Sequence, residues 1–342
     1  MASSQLRHTL VGFVAAGVVF AVMFWLLDAR AVVAAASRAD LGLIGLVAAA
    51  ILCWNLSWGV VFWQVLGAVG TDTRLPTAVV INAAGAFANH VTPFGQAGGE
   101  PVTAWLVTRR TGTDYEVSLA AVASFDAINV VPSLTLAVVG GFYYLFTVPG
   151  VVDFDALSTL ALLVAAAVVG ASLVWQYGRD NEARLLATVA AGVRTVASRI
   201  PRVSVPDSDA VIGRIRGFGD AVARVAGDRR RLVAALCFSA LGWGLQATGM
   251  WVAFLALDAP IPLYVPLFVV PLSAFGSIVP TPGGLGGVET ISIALVTLVT
   301  GVSAPTVAAA VTIHSVGGYM LTTTVGAGAT AVIGVGSGPQ DD

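Results

Sequence analysis

The chain has 342 residues, of which 57% are hydrophobic and only 11% charged, with a mean hydropathy of +0.88 and a formal net charge of −2. Soluble domains carry roughly 25% charged residues, so the composition excludes a water-soluble globular protein and places the chain in a bilayer. All 17 basic residues are arginines, and where they lie says more than their sum.

A membrane-spanning helix needs about 20 predominantly apolar residues. The first such run, Thr9 to Leu27, follows Arg7 and His8 and leads into Asp28 rather than a small-residue cleavage site. It reads as a membrane helix, not a signal peptide. Leu41 to Val69 is the second crossing. Thr77 to Val91 and Pro101 to Thr108 are each too short to cross comfortably, and they read as the arms of a re-entrant hairpin within residues 76–108. Val117 to Val148 is long enough to tilt, or to kink at Pro132, and Ala156 to Trp175 follows it. Leu232 to Leu257 is the fifth crossing. Leu263 to Val279 and Thr290 to Thr300 form a second hairpin within residues 263–300, and Pro305 to Val335 is the last crossing. Cys53 and Cys237 lie singly in apolar runs, so neither a disulfide framework nor a zinc site is expected.

Residues 178–231 separate a first membrane half (1–177) from a second (232–342). Here Leu185, Val189, Val193, Val196 and Ile200 recur at helical spacing, as do Val211, Ile215, Phe218, Val222 and Val225. Arginines occupy the other faces, and Pro201 and Pro206 lie between the two stretches. Two amphipathic helices on the inner leaflet fit this pattern. They either cover the end of the bundle or bind anionic lipid.

The most informative feature is a repeat. Thr92 to Glu100, TPFGQAGGE, returns at Thr281 to Glu289 as TPGGLGGVE, and the ungapped match extended to Gly112 and Gly301 contains ten identities in 21 columns. Eleven of the 17 arginines lie between Arg179 and Arg231. Because cytoplasmic loops carry the excess of basic residues, this connection is cytoplasmic. Arg7, Arg74, Arg109 and Arg110 then fall on the same side, and only Arg30 and Arg38 lie outside, beside Asp28 and Asp40. Both termini are expected to face the cytoplasm, in a cell-membrane protein. Three crossings separate the two hairpins, so they enter from opposite faces, as in inverted-topology transporters whose sites lie near the midplane.

In this scheme Pro93 and Pro282 stop each incoming half-helix. Glu100 and Glu289 sit where the outgoing half-helices begin, with Pro101 at the favoured first helical position. Two readings stand side by side: the carboxylates are plain N-terminal caps, or they handle a cationic headgroup or a coupling proton. Free amides beside them suit a phosphate. The candidate substrate-binding set is therefore Glu100, Glu289, Thr92, Gly98, Gly99, Thr281, Gly286 and Gly287 from the loops. Asp126, His90 and His314 join it from the apolar segments. For Asp126 the competing reading is a helix–helix hydrogen bond, and for the histidines it is packing. A His/Glu metal site lacks its third and fourth ligands. No P-loop, nucleophile elbow or dinucleotide fingerprint is present. No metal, cofactor, catalytic residue or nucleic acid is expected.

The pair NHVTPFGQAGGE and VPTPGGLGGVE, each following an apolar half-helix, resembles the flippase-like transmembrane family that includes the membrane region of lysylphosphatidylglycerol synthases. The resemblance covers essentially the whole chain. It implies an all-α polytopic bundle, here six crossings plus two re-entrant hairpins forming an inverted repeat, and movement of lipid between leaflets. This sequence departs from relatives at three places. Thr103 stands where a basic residue is common, Asp126 stands without an arginine partner, and His314 lies near the position of an arginine in the last helix. Only seven residues follow Val335, so lipid aminoacylation is not expected of this polypeptide. The reading is a non-enzymatic flippase or transporter of a phospholipid, glycolipid or lipid-linked sugar, with a polar cavity beside Glu100 and Glu289 that opens sideways to the acyl chains. Its partners are membrane lipids and a lipid or glycan biosynthetic enzyme. Alternatives are a non-transporting scaffold for a glycolipid or cell-surface glycan pathway, or an intramembrane lipid-modifying enzyme using Glu100, Glu289 and Asp126.

Overall fold

The computed structural model describes residues 29–92, 96–148, 208–279 and 281–335. Its α-helices are α1 (Ala29–Ala36), α2 (Leu41–Ala68), α3 (Leu75–Val91), α4 (Gln96–Thr111), α5 (Tyr115–Thr147), α6 (Ser208–Gly227), α7 (Arg229–Leu255), α8 (Tyr264–Ser273), α9 (Gly287–Thr300), α10 (Ala304–Val311) and α11 (Gly317–Val335). Backbone polar groups in hydrocarbon have no water to bond to, so long apolar runs satisfy them internally as helices. The protein is an all-α, polytopic membrane protein, with five stretches among the described residues long and apolar enough to cross a bilayer. The expected crossings Thr9 to Leu27 and Ala156 to Trp175, and the amphipathic stretch Leu185 to Ile200, lie outside the described residues.

Two details differ from the sequence expectation. The last apolar run is not one regular helix: α10 and α11 are joined by a π-turn, Thr312–Val316. The stretch Pro282–Thr300, expected as loop plus returning arm, qualifies as a crossing by length and composition. Its regular part, α9, has 14 residues, or roughly 21 Å, against a hydrocarbon core of about 30 Å.

The repeat reaches well beyond the matched loops. The interval from Thr92 to Thr281 also carries the first residue of α3, Leu75, onto that of α8, Tyr264. It carries the last residue of α4, Thr111, onto that of α9, Thr300, and the first of α5, Tyr115, onto that of α10, Ala304. Gly112 and Gly301 follow α4 and α9 with φ of 72° and 67°, the left-handed conformation that ends helices. Contacts obey the same relation: α3 packs on α11 as α8 packs on α5, and α1 packs on α10 as α6 packs on α5.

The first helices of the two units, α2 and α7, face each other across this pseudo-twofold relation. Small residues let them approach closely. Gly242 abuts Trp58 and Gly249 faces Ala50. Ser57 Oγ donates to the Phe238 carbonyl at 2.7 Å, and the Asp40 N–H donates to the Ala256 carbonyl at 2.9 Å. As residue numbers rise along α2 they fall along α7, so the helices run antiparallel and the two units are inverted. Two apolar cores form, one around Phe62, Leu66 and Ile81, the other around Met250, Phe254 and Val269, and each draws residues from both units.

The end of the bundle formed by the C-terminus of α2 and the N-terminus of α7 carries exposed Arg74, Arg109, Arg216, Arg224, Arg229 and Arg230. There α6 packs on α5 and α7 through Phe218, Ala221, Val222 and Val225, covering the bundle end. Single cysteines in a protein lacking Cys53 and Cys237 test the inversion. A cysteine at Asp72 should react with a membrane-impermeant reagent from the arginine-rich side only, and one at Ser303 only from the other. Labelling of both from one side would dismantle the inverted arrangement.

Candidate functional site

The first hairpin is drawn together by glycines. A Cβ on Gly85 would stand 2.5 Å from Thr103 Oγ1, one on Gly98 would stand 2.7 Å from Thr92 Oγ1, and one on Gly99 would run into Asn89. Thr103 is buried and donates to the Gly99 carbonyl at 3.0 Å. Thus Thr92, Gly98 and Gly99 first of all let α3 and α4 close on one another.

Glu100 does not begin its helix. α4 starts at Gln96, so Glu100 lies beyond the first turn and Pro101 is interior. That corrects the expected placement of both residues. The Glu100 carboxyl lies within side-chain hydrogen-bonding reach of the Asp126 carboxyl on α5. An ionised carboxylate only accepts, so the two bond to each other only when one of them carries a proton. Asp126 lies about 17 Å along α5, near mid-depth for a helix that enters at Tyr115. One turn further on, Asn129 fixes α5 against α7: Ser239 Oγ donates to Asn129 Oδ1 at 2.5 Å and Trp243 Nε1 donates to the Asn129 carbonyl at 2.9 Å. Pro101, Val102, Trp105, Ala127, Val130 and Val131 are exposed beside the pair. Both carboxyls therefore sit at the margin of an apolar surface that is exposed among the described residues.

The second hairpin uses its glutamate differently. Glu289 is 2% exposed and accepts from the Gly286 N–H at 2.7 Å. This is one limb of a capping box, because Gly286 has no side chain to return the bond. That amide is therefore taken, not free for phosphate. Among the described residues no hydrogen bond or ion pair joins Glu289 to Glu100 or Asp126. Thr281 Oγ1 donates to the Leu285 carbonyl at 2.8 Å, Gly286 adopts φ 88°, and Gly287 lies against the backbone of Gly276. Gln accepts the capping bond and Ala does not. Glu289→Gln should therefore leave thermal stability nearly intact while Glu289→Ala loses about 1–2 kcal/mol. Equal melting temperatures for the two variants would remove the capping role.

The two hairpin tips meet through His90. Its ring stacks on Tyr319 of α11 at 4.1 Å between centroids, and the Tyr319 hydroxyl donates to the His90 carbonyl at 2.9 Å. Thr323 Oγ1 donates its only proton to the Tyr319 carbonyl at 2.6 Å, so His90 Nδ1, 2.7 Å from that oxygen, is the donor to it. Gly283, with φ 63°, lies against this plate, where a Cβ would stand 2.5 Å from Tyr319 Cε2. His314 is elsewhere: it sits in the π-turn, 8% exposed, facing Gly249, with no hydrogen-bond partner for Nδ1 among the described residues.

Sequence reasoning missed Tyr319, Thr323, Ser239 and Trp243. Tyr319 and Thr323 share a helix face one turn apart in an otherwise apolar segment, a signal that only the contact with His90 makes legible.

Comparison with known proteins agrees with this architecture. The model for the lysylphosphatidylglycerol synthase TM region matches residues 10–326. Two UPF0104 membrane proteins of Methanothermobacter thermautotrophicus (strain Delta H) are similar: one is 24% identical over 81% of this chain and 78% of its own length, the other 28% identical over 76% and 75%. A UPF0104 membrane protein of Pyrococcus horikoshii is 23% identical over 80% of this chain and 82% of its own length. With nearly the whole membrane bundle matched, the chain belongs to the family of lysylphosphatidylglycerol synthase transmembrane regions.

Proposed function

We propose that this protein moves a lipid between leaflets, holding the headgroup at the Glu100–Asp126 pair while the acyl chains stay in the bilayer. The observation that carries this reading is a pair of neighbouring carboxyls near mid-depth of α5, at the edge of an exposed apolar surface of the described residues. Ionisable groups at that depth are costly and mark pathways. The inverted repeat supports the same reading, since transporters built this way place their sites where the repeats meet.

The chemistry of the pair narrows the headgroup. Carboxyl oxygens accept hydrogen bonds, and neither Thr103 nor His314 supplies a fixed positive charge. A headgroup rich in donors, an amine or the hydroxyls of a sugar, therefore suits the pair better than a bare phosphate. This keeps phospholipid, glycolipid and lipid-linked sugar as the substrate class, with no chemical change to the lipid. The arginine-rich end supports a cytoplasmic orientation for that face and for both termini.

Reconstitution of the whole chain in liposomes tests the proposal. Accelerated leaflet exchange of an amine-bearing or glycosylated fluorescent lipid is the expected result. No acceleration across phospholipids, glycolipids and lipid-linked sugars would overturn it.

A further inference from the structure

A groove of about 470 Å³ lies between α5 and α8, walled by Val139, Gly140, Tyr143, Leu263, Tyr264 and Leu267. Asp126 precedes Gly140 on α5 by roughly 21 Å of helix, so the groove is far from the carboxyl pair, toward the end of the bundle opposite the arginines. Gly140 opens it: a Cβ there would stand 3.0 Å from the Phe268 nitrogen and 3.0 Å from the Tyr264 carbonyl. Tyr264 packs on Tyr143 at 5.0 Å and on Tyr144 at 6.3 Å, and Tyr144 on Phe268 at 5.8 Å, giving the groove a rigid aromatic side. Its outer lip is apolar and exposed among the described residues, with Val139, Tyr143 and Leu263 exposed and Phe142 and Phe146 exposed beside them. Among the described residues no charged side chain lines it.

We propose that this groove is an acyl-chain site, holding one fatty acyl chain of a bilayer lipid between Val139–Tyr143 and Leu263–Leu267. Size and position select the occupant. A helix is at least 10 Å across and rises 5.4 Å per turn, so the groove holds little more than one turn, too little for a specific helix contact. At roughly 30 Å³ per small group, the volume of one water in the liquid, its volume equals that of about fifteen methylenes, so it seats part of one chain against its walls. A chain lying in a concave apolar wall has partner atoms on more sides than one passing a convex helix, and the tyrosines fit the interfacial depth where such residues anchor. The site does not depend on the protein moving lipid.

The test uses the full chain in phosphatidylcholine vesicles containing a phosphatidylcholine with a diazirine in one acyl chain. After illumination, adducts are mapped by mass spectrometry. Adducts on residues 139–144 and 262–267 should exceed those on other lipid-facing positions, Leu46, Leu298 and Val332, at least fivefold. Val139→Trp and Leu263→Trp, which fill the groove from its exposed lip, should bring them down to that background without lowering the melting temperature. Equal labelling at the groove and at Leu46, Leu298 and Val332, or groove labelling undiminished in the tryptophan variants, would overturn the site. Leaflet exchange assayed in the same vesicles reports on transport separately, so either result stands without the other.

Discussion

Asp126→Asn should reduce leaflet exchange at least tenfold while the protein stays folded and inserted. Asparagine keeps the size of the side chain and can still hydrogen-bond to Glu100, so the packing of α4 on α5 survives. What is lost is the ability to carry charge, and with it the exchange of a proton for a donor group on the headgroup. Tenfold corresponds to about 1.4 kcal/mol of barrier, a modest demand on a group at membrane depth. Glu100→Gln should give the same loss, and the double variant should be no worse than either single one, because the two carboxyls act as one unit and their effects do not add. Measured side by side in proteoliposomes, undiminished exchange in both single variants would reduce the pair to a helix–helix hydrogen bond. Additive losses would argue instead for two separate sites.

The sequence carried the architecture further than the chemistry. The repeated Thr-Pro and Gly-Glu offsets placed both hairpins because proline and glycine impose local backbone rules that a bilayer cannot relax, and the register of the repeat carried over to α3, α4 and α5. The glutamates show where local reading ends. Identical letters at Glu100 and Glu289 suggested one role, yet Glu289 turns back to an amide three residues away while Glu100 reaches Asp126 on the next helix. The first is set by local chain geometry, the second by how α4 lies on α5, which no spacing encodes. The placement of Pro101 failed for a related reason: α4 begins a turn earlier than the proline because its first turn is anchored by the close packing of Gly98 and Gly99 on α3. The π-turn at Thr312–Val316 has no signature in an apolar run of alanine, valine and threonine.

Gly276→Ala should be among the most destabilising single changes in the second hairpin, although it adds one methyl group. A Cβ at Gly276 runs into the carbonyl group of Gly287 and the nitrogen of Val288. These are backbone atoms of the opposite arm, which cannot rotate away as a side chain does. Overpacking into a yielding core costs about 1–3 kcal/mol; here the two arms must separate, and the loop that carries Glu289 moves with them. Gly141→Ala is the matched control, because nothing lies within 4 Å of its added methyl and alanine is the better helix former by about 0.5–1 kcal/mol. Thermal unfolding in detergent, followed by size-exclusion chromatography of the heated protein, should show Gly276→Ala melting well below the parent and Gly141→Ala at or above it. If both alanines were tolerated alike, the close crossing of the second hairpin would not hold the loop in place. The capping of Glu289 would then have to rest on α9 alone.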